Sequence, residues 1–394
     1  MMRLLEDAPI VKGTPLILRA DCDVVIAGTR IRDDFRITAL FPALRSLARR
    51  GARIRVIGHR GRPGGKPDSR MSLAPVGRFL ASALGRRVRL IRDPFSERAF
   101  KTERGSDDIL LFENLRFWPG EEKNDMKFAA ALARWGEIYV NEAFAACHRP
   151  HASLATLPRL LPSYAGPHLV SEIAALERVM RHPARPLAAV FGGAKIETKL
   201  PLIRRFLRTA DRVLVGGALA NTVFAAGGEN IGNSLAEKNV QGALPSLKNK
   251  KLALPSDVIA ADGSEAGVAH RARSTDSVGV GEYIADIGPA SRKLFSGIIR
   301  EAGTAVWNGP MGIAEIPAYA KGTIAIAKAM RNAKGFTVVG GGDTVAILKR
   351  YGILTGFSHV STGGGAMLAF LSGEKLPGIE ALKKIKTNND IVRP

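Results

Sequence analysis

The sequence predicts an α/β protein of two lobes, each a parallel sheet flanked by helices, joined by a long interlobe helix. Strand-like apolar stretches alternate with helix-like stretches along most of the 394 residues. This alternation is typical of parallel sheets with helices on both faces. The helical segment 168–183 interrupts the alternation and stands between two such series. We therefore predict a first lobe at 1–167, the interlobe helix at 168–183 and a second lobe at 184–372.

The first series begins with a strand and continues by regular alternation. The helix-like segment 39–51 has leucines at helical spacing and stops on Gly51, a residue type that commonly ends helices. The segment 52–60 alternates apolar and polar residues, as a strand does. The predicted strands are 16–25, 52–60, 88–93, 109–116 and 137–144, and the predicted helices are 39–51, 75–85 and 128–136.

The second series carries glycines at the ends of its strand-like stretches. Ligands of parallel sheets bind beyond the carboxyl ends of the strands, and glycine lets backbone N–H groups approach a phosphate closely. A single glycine pair would indicate only a tight turn, whereas several at one sheet edge favour a nucleotide site. Glycines follow five of the six stretches, which are 186–195, 212–224, 251–261, 303–312, 336–344 and 357–366.

One of these glycine runs is followed by an acid. An apolar stretch leads into Gly340–Gly342, and a helix-like segment begins soon afterwards. A strand, a glycine turn and a helix N-terminus form a natural phosphate seat. Asp343 occupies the place where a P-loop carries lysine, which raises the question of what a carboxylate does beside a phosphate.

Composition indicates a globular protein of a reducing compartment. The chain is 46% hydrophobic and 24% charged, which excludes a disordered sequence. No apolar run reaches the roughly 18 residues of a membrane helix, and the N-terminus does not resemble a signal peptide. Two cysteines far apart, Cys22 and Cys147, favour the cytoplasm. They cannot form a structural zinc site, and neither the HExxH nor the GxSxG pattern occurs.

The net charge of +22 is extreme for a soluble enzyme. It is compatible with a nucleic-acid partner, an anionic substrate or an adaptation of the whole proteome. The basic stretches 46–65 and 84–93 contain no aromatic residues between the arginines, so a base-stacking platform is not indicated. A solvated basic face explains them equally well.

Two groups of side chains suggest phosphate chemistry. Guanidinium groups bind phosphate and carboxylate bidentately, so a convergent arginine set suits a small substrate that carries both. Lys195 and Lys199 lie one helical turn apart after a glycine turn, where they can neutralise a phosphoryl group in transit. The first group follows predicted strand ends of the first lobe and comprises Arg19, Asp21, Asp23, Arg36, His59, Arg62, Arg116 and Arg149.

Motifs along nearly the whole chain resemble those of phosphoglycerate kinase. They stand in the family's order and at its approximate spacing. The pair WNGPMG and STGGGA is very specific. The motifs are RADCDV (19–24), DDFRI (33–37), GHRGRP (58–63), LFENLRF (111–117), EEKND (121–125), VNEAF (140–144), HRPHAS (148–153), GGAKIETK (192–199), GGALANT (216–222), DIGPAS (286–291), WNGPMG (307–312), KGT (321–323), VVGGGDT (338–344) and HVSTGGGA (359–366).

The resemblance implies Mg²⁺-dependent phosphoryl transfer between 1,3-bisphosphoglycerate and ADP. It implies two Rossmann-like lobes that close on each other, a tail at 373–394 packed on the first lobe, a monomer, and no general base. Asp343 falls where the family binds the metal, so the carboxylate reaches the phosphate through the cation.

Site residues follow by the same match. The triose site would be Asp21, Asp23, Arg36, His59, Arg62, Arg116 and Arg149. The nucleotide site would be Gly193, Lys199, Gly217, Gly288, Asn308, Glu315, Gly341, Gly342, Asp343 and Thr344, with Arg36, Lys195, Lys199, Gly341 and Gly364 acting on the group in transit.

The chain departs from the family pattern near the triose site. The family usually has Asn at Asp23 and Leu at Arg60, and it differs again at Glu142 and at 145–147. We expect Asp23 and Arg60 to pair, because the new positive charge would neutralise the new acid. A catalytically weak relative retained for binding, and a chain that also binds nucleic acid, remain the alternatives to an active kinase.

Overall fold

The computed structural model describes residues 2–28, 30–194, 199–237 and 249–383. The chain divides into two compact units. One runs to Ile173 and also includes the segment that begins at Lys375, and the other is Ala174–Glu374. The division falls within the long helix Pro167–Arg181.

The first unit is built on a six-stranded parallel sheet. Its strands are β1 (Pro15–Arg19), β4 (Arg53–Ile57), β5 (Val88–Ile91), β6 (Ile109–Phe112), β7 (Ile138–Asn141) and β8 (Ser163–Ala165), and β2 (Ile26–Ala27) with β3 (Arg30–Ile31) forms a small antiparallel hairpin. The sheet order is β5-β6-β4-β1-β7-β8. Its helices are α1 (Phe35–Thr38), α2 (Phe41–Arg49), α3 (Ala74–Leu84), α4 (Glu97–Glu103), α5 (Pro119–Glu122), α6 (Met126–Ala133), α7 (Leu157–Leu160) and α8 (Pro167–Arg181).

Strand β1 is shorter than the predicted strand 16–25. It ends at Arg19 because Asp21 takes over the local hydrogen bonding: its carboxylate accepts the Asp23 N–H at 3.2 Å. Short acidic side chains that bond the backbone two residues on favour turns over ladders. Residues after Arg19 therefore form a loop at the carboxyl end of the strand, which is the edge where a ligand would bind.

The second unit is also built on a six-stranded parallel sheet. Its order is β11-β10-β9-β15-β16-β17. The strands are β9 (Leu187–Phe191), β10 (Arg212–Val215), β11 (Leu252–Ala253), β15 (Thr304–Asn308), β16 (Phe336–Gly340) and β17 (His359–Ser361), and the helices are α9 (Leu200–Thr209), α10 (Ala218–Ala226), α11 (Pro289–Glu301), α12 (Lys321–Arg331), α13 (Gly342–Arg350) and α14 (Gly364–Ser372). Two parallel sheets flanked by helices confirm the predicted fold class.

The predicted strand 251–261 is wrong as a single element. It divides into β11, in the parallel sheet, and β12 (Asp257–Ala261), which pairs with β13 (His270–Ser274) and β14 (Tyr283–Ile287) in a separate antiparallel sheet. Pro255 lies between the two parts and has no N–H to donate to a ladder, so the chain changes sheets there.

The chain returns to the first unit at Lys375. The short helix Pro377–Glu380 lies against Cys147, whose carbonyl oxygen accepts the Gly378 N–H at 2.9 Å. A Cβ atom at Gly378 would lie 3.0 Å from Cys147, so the two segments approach each other closely here. The end of the predicted tail, 384–394, lies outside the described residues. Within the described part of the chain, no helix has the length and apolarity to span a bilayer.

Candidate functional site

The first unit gathers its predicted site residues at one sheet edge. Strands β6, β4, β1 and β7 are neighbours in the sheet. The loops after their carboxyl ends carry Arg116, His59 with Arg62, Asp21 with Asp23, and Arg149, respectively. Arg36 lies in α1, which follows the small hairpin. The sheet order therefore explains why residues over a hundred positions apart in the sequence share one edge.

Arg36 lies between the two acids of the loop after β1. Its Nε is 3.6 Å from Asp21 Oδ2, and its Nη1 is 3.9 Å from Asp23 Oδ2. Nη1 also donates to the Asp23 carbonyl oxygen at 2.9 Å. Asp21 is buried, and burial raises the pKa of its carboxyl group although Arg36 opposes the shift. The two acids hold the Arg36 guanidinium in one place at the site.

Arg116 is a buried cation with unused donors. It is 2% exposed, and its Nη1 donates to the Gly61 carbonyl oxygen at 2.7 Å. Its Nη2 has no hydrogen-bond partner among the described residues. Burial, followed by the nearby Arg149, lowers the pKa of Arg116 to about 10. Glu122 Oε1 lies 3.3 Å from its Nε, so the free N–H that a further anion would complete is on Nη2.

The predicted Asp23–Arg60 pair is wrong. Both residues are described, and Arg60 instead donates to the carbonyl oxygens of Val24, at 3.1 Å, and Arg70. The Asp23 carboxylate accepts the Gly61 N–H at 2.9 Å and faces Arg36. Arg60 therefore ties two loops together through their backbones, and the partner of the additional acid is Arg36.

Beneath this edge lies a buried polar network that the sequence did not reveal. Arg19 Nε donates to Ser153 Oγ at 2.8 Å, and the Ser153 hydroxyl donates to Glu121 Oε1 at 2.6 Å. Arg19 Nη2 lies 3.0 Å from His59 Nδ1. Glu121 and Ser153 belong to two of the recognised motifs, but nothing in their spacing shows that they meet.

In the second unit, three glycine loops pack backbone to backbone. They follow β9, β10 and β15, which are adjacent in the sheet. The Gly193 N–H donates to the Pro310 carbonyl oxygen at 2.8 Å. Gly217 has a φ of +62°, and a Cβ there would lie 2.9 Å from the Gly193 nitrogen. These close approaches require glycine and make a compact backbone surface.

Lys199 points into the place where these loops meet. Its side chain is 9% exposed, and its ammonium donates to the Gly192 carbonyl oxygen. A Cβ atom at Gly309 would lie 2.8 Å from Lys199 Nζ. Burial lowers the pKa of Lys199 to about 8, and Asp343 opposes this shift. Lys195, its predicted partner, lies outside the described residues.

Asp343 and two helix N-termini form the far side of the same edge. Gly341, with a φ of +104°, turns the chain from β16 into α13, and Asp343 stands in the first turn of that helix. A Cβ atom at Gly364, where α14 begins, would lie 3.7 Å from the Gly342 nitrogen. Two N-termini that meet in this way present N–H groups and positive partial charge to an anion.

The donor set at Asp343 fits a magnesium ion shared with a phosphate ligand. Among the described residues, no three His, Cys, Asp or Glu side chains converge as a metal cage. Mg²⁺ is usually held by one or two carboxylates with phosphate oxygens and water rather than by an all-protein cage. Asp343 is exposed and can supply that carboxylate.

A cavity of about 550 Å³ opens beside these loops. Gly193, Gly217, Glu315 and Asp343 line it. Gly288 stands at the start of α11 and packs against Asp257. A volume of this size suits a small ligand with both apolar and polar parts.

Asn308 and Thr344 are engaged in holding the loops. Asn308 Nδ2 donates to the Gly340 carbonyl oxygen at 3.0 Å, and Thr344 Oγ1 accepts the Gly309 N–H at 2.8 Å. Both side chains are buried. They position the glycine loops.

One residue that lines the cavity was not predicted from the sequence. Asp286 is 1% exposed and lines the cavity. Its carboxylate accepts the Gly322 N–H at 2.6 Å and so caps α12. Burial raises the pKa of Asp286 to about 7. It belongs to the DIGPAS motif, of which the prediction selected only Gly288.

One protein family matches nearly the whole chain. The profile of the family described as phosphoglycerate kinase matches residues 5–374. The phosphoglycerate kinases of Methylorubrum extorquens and Thermus thermophilus are each 42% identical to this chain over 393 residues, which is 97% of this chain and 98% and 100% of theirs.

Solved structures agree with the sequence relatives. Phosphoglycerate kinase from Coxiella burnetii has a TM-score of 0.85 at 36% identity, covering 97% of this chain and 99% of its own. The enzyme from Pyrococcus horikoshii has a TM-score of 0.86 at 31% identity, covering 97% and 98%. With both the profile and these relatives spanning nearly its whole length, the chain belongs to the phosphoglycerate kinase family.

Proposed function

We propose that this chain catalyses reversible phosphoryl transfer between 1,3-bisphosphoglycerate and ADP, giving 3-phosphoglycerate and ATP, in glycolysis and gluconeogenesis. The observation that carries the proposal is Lys199, a buried ammonium whose charged form Asp343 favours, at an edge where two helix N-termini meet. Such an arrangement stabilises negative charge that spreads over a phosphoryl group in transit.

The edge of the first unit would hold the triose. Its phosphate and carboxylate groups need several cationic donors, and Arg62, Arg116 and Arg149 can supply them. The unpartnered Nη2 of Arg116 supports this role, because an anion would satisfy it. Arg36, which Asp21 and Asp23 hold in place, would face the transferred group.

The edge of the second unit would hold the nucleotide. The cavity would take the base and ribose, with Glu315 available to accept a hydrogen bond from a ribose hydroxyl. The glycine loops and the N-termini of α13 and α14 would bind the phosphates, with Gly341, Gly342 and Gly364 offering backbone N–H groups. Magnesium, held by Asp343, would neutralise charge on the nucleotide phosphates.

The reaction needs no general base. In the direction of ATP synthesis, an ADP phosphate oxygen forms the new P–O bond as the bond to the acyl oxygen breaks. In reverse, the 3-phosphoglycerate carboxylate attacks. Both nucleophiles are already anionic, so no proton has to be removed. Rate enhancement then comes from positioning, charge neutralisation and exclusion of water by closure of the lobes.

A coupled assay with MgATP and 3-phosphoglycerate tests the proposal. We expect saturable turnover, and Arg36→Ala should lower kcat by about 10²-fold with a smaller change in KM. Arg78→Ala, an exposed arginine on α3, is the matched control and should leave both constants unchanged. A pure, folded protein without turnover would instead favour a binding protein descended from the enzyme.

We also propose that the protein acts as a cytoplasmic monomer, with non-specific nucleic-acid binding as a second property. Both cysteines are buried and unpaired, in keeping with a reducing compartment. The net charge of +22 would attract any polyanion. A gel shift across a salt series tests this, since charge-driven binding must weaken steeply with salt. Binding that persists at high salt would indicate a specific nucleic-acid partner.

A further inference from the structure

In the hydrogen bond between Arg19 and His59, the chemistry of the two groups decides which is the donor and which the acceptor. Arg19 Nη2 lies 3.0 Å from His59 Nδ1. A guanidinium has only donors, so Nδ1 must be the acceptor and carry no proton. The proton of a neutral imidazole then resides on Nε2. The contact therefore selects one tautomer of His59 and disfavours the doubly protonated ring.

Arg19 is held so firmly that it cannot turn toward a ligand. It is fully buried, as are Ser153, Glu121 and Tyr139. Ser153 Oγ accepts from Arg19 Nε at 2.8 Å, and the Tyr139 hydroxyl donates to the Ser153 carbonyl oxygen at 2.8 Å. Glu121 accepts both the hydroxyl and the N–H of Ser153, and its Oε1 is 4.0 Å from Arg19 Nη2. Arg19 Nη1 also donates to the Ala20 carbonyl oxygen, so Arg19 reaches the site through the His59 ring and through the backbone of the loop after β1.

The surroundings of His59 oppose a charge on its ring. His59 is 5% exposed. Burial, then Arg19 and Arg116, together with His151 and Arg149, lower the pKa of His59 well below its usual value. Glu121 is the acid of this network, and its contacts are with Ser153, with Arg19 and, at 3.9 Å, with His151 Nδ1. A further cation among these arginines would add repulsion, whereas a neutral N–H adds a directional donor.

We propose that Arg19 is a positioning residue that holds His59 as the neutral Nε2–H tautomer, giving the triose site an uncharged hydrogen-bond donor. The proposal rests on the function proposed above. The ligand group that His59 serves is therefore an oxygen acceptor, either a hydroxyl or a carboxylate oxygen. The charges of the substrate are left to the arginines, and His59 contributes selectivity for the position of that oxygen.

Nitrogen-15 NMR of the full chain labelled at histidine tests the proposal. His59→Gln identifies the His59 signal among the seven histidines. In the native protein, we expect Nδ1 unprotonated and Nε2 protonated, without titration near pH 6.5, the ordinary pKa of an imidazole. A His59 ring that carries its proton on Nδ1, or that is doubly protonated near pH 7, would overturn the proposal.

Two variants of the network separate positioning from simple packing. Arg19→Lys keeps the charge but loses the planar guanidinium, which donates to Ser153 and His59 at the same time. Ser153→Ala removes the Nε anchor and leaves the guanidinium. In either variant, the His59 signal should show mixed tautomers or a titration. KM for 3-phosphoglycerate should rise by about three- to tenfold, the effect of one hydrogen bond, with a smaller change in kcat. An unchanged tautomer in both variants would refute the role of Arg19.

Matched controls address folding and the function itself. Arg55→Lys alters another fully buried arginine of the same sheet, which donates to the Arg104 carbonyl oxygen at 2.7 Å, and it should not move the His59 signal. His59→Gln retains an N–H donor and should bind 3-phosphoglycerate better than His59→Ala. The tautomer needs no substrate, so a chain without kinase activity would refute the proposed function while the NMR result decides the role of Arg19.

Discussion

Replacing Asp23 by asparagine should tighten binding of 3-phosphoglycerate. Asp23 Oδ2 lies 3.9 Å from Arg36 Nη1, on a guanidinium that also faces Asp21. The single positive charge of Arg36 is therefore shared between two acids before any substrate arrives. An anionic ligand must compete with them, and the additional acid repels it. The asparagine side chain of the variant keeps an oxygen that can accept the Gly61 N–H, so the loop should retain its shape.

The size of the effect follows from Coulomb's law. An anion bound on the opposite side of Arg36 would lie about twice an ion-pair distance, roughly 8 Å, from the Asp23 carboxylate. At effective dielectric constants between about 20 and 80, the repulsion is about 0.5–2 kcal/mol, or roughly two- to thirtyfold in Kd. The Asp23 side chain is 41% exposed, so the lower half of that range is the better expectation.

Calorimetric titration with 3-phosphoglycerate at low and high ionic strength measures this. We expect Asp23→Asn to lower Kd and to lose part of that gain in salt, because the repulsion is screened. Asp107→Asn removes the same charge from a remote position on the same unit, where Asp107 pairs with Arg53 at 2.9 Å, and should change Kd little. Binding by Asp23→Asn that is equal to or weaker than binding by the Asp107 control would refute the reasoning.

Three further predictions concern Lys199, Asp343 and Glu142. Lys199→Met should abolish most of kcat yet raise Tm at pH 7, because a folded-state pKa of about 8 against 10.5 means that the buried charge costs up to about 3 kcal/mol. Between pH 8 and 10.5, Lys199 of the native protein is protonated in the unfolded state but not in the folded state, so the free energy of unfolding should rise with pH. A lower Tm for Lys199→Met than for the native protein would contradict this account. Asp343→Asn should raise the Mg²⁺ concentration needed for half-maximal rate and weaken MgADP binding while 3-phosphoglycerate binding is retained; unchanged MgADP affinity in calorimetry would remove Asp343 from the metal site. Glu142 follows β7, and its buried carboxylate lies against the start of α8, where Oε2 accepts the Leu169 N–H at 3.0 Å. Burial raises the pKa of Glu142 to about 8. Between about pH 4.5 and 8, the folded state then binds more protons than the unfolded state, so the free energy of unfolding should fall as pH rises. Glu142→Gln should make this fall less steep. If urea unfolding gives the same dependence on pH for both proteins, the account of Glu142 is wrong.

The parallel sheets could be predicted because buried strands and their helices leave strong periodic patterns. The antiparallel sheet of β12, β13 and β14 could not, since β13 is mostly exposed and lacks an apolar run. The end of β1 at Arg19 was also missed, because apolar residues continue beyond it, and the Asp21 side chain, rather than hydrophobicity, ends the strand.

A site residue could be predicted where a recognisable motif stands at the end of a predicted strand. Asp343 and Lys199 follow glycine turns, and both meet at the edge of the second sheet. Partners across the sheet were not predictable: Asp23 and Arg60 come from adjacent loops, but side-chain direction decides that Asp23 faces Arg36. The same limit hid the contacts of Arg19 with Ser153, 134 positions away.

The most direct test of the central claim follows the phosphoryl group itself. The purified chain is incubated with Mg²⁺, 3-phosphoglycerate and ATP labelled with phosphorus-32 at the γ position, and the products are separated before and after treatment with hydroxylamine, which cleaves acyl phosphates. Direct transfer between bound substrates predicts label in an acyl phosphate of the triose that hydroxylamine releases, with none on the protein. Label on the protein, or only in inorganic phosphate, would contradict it.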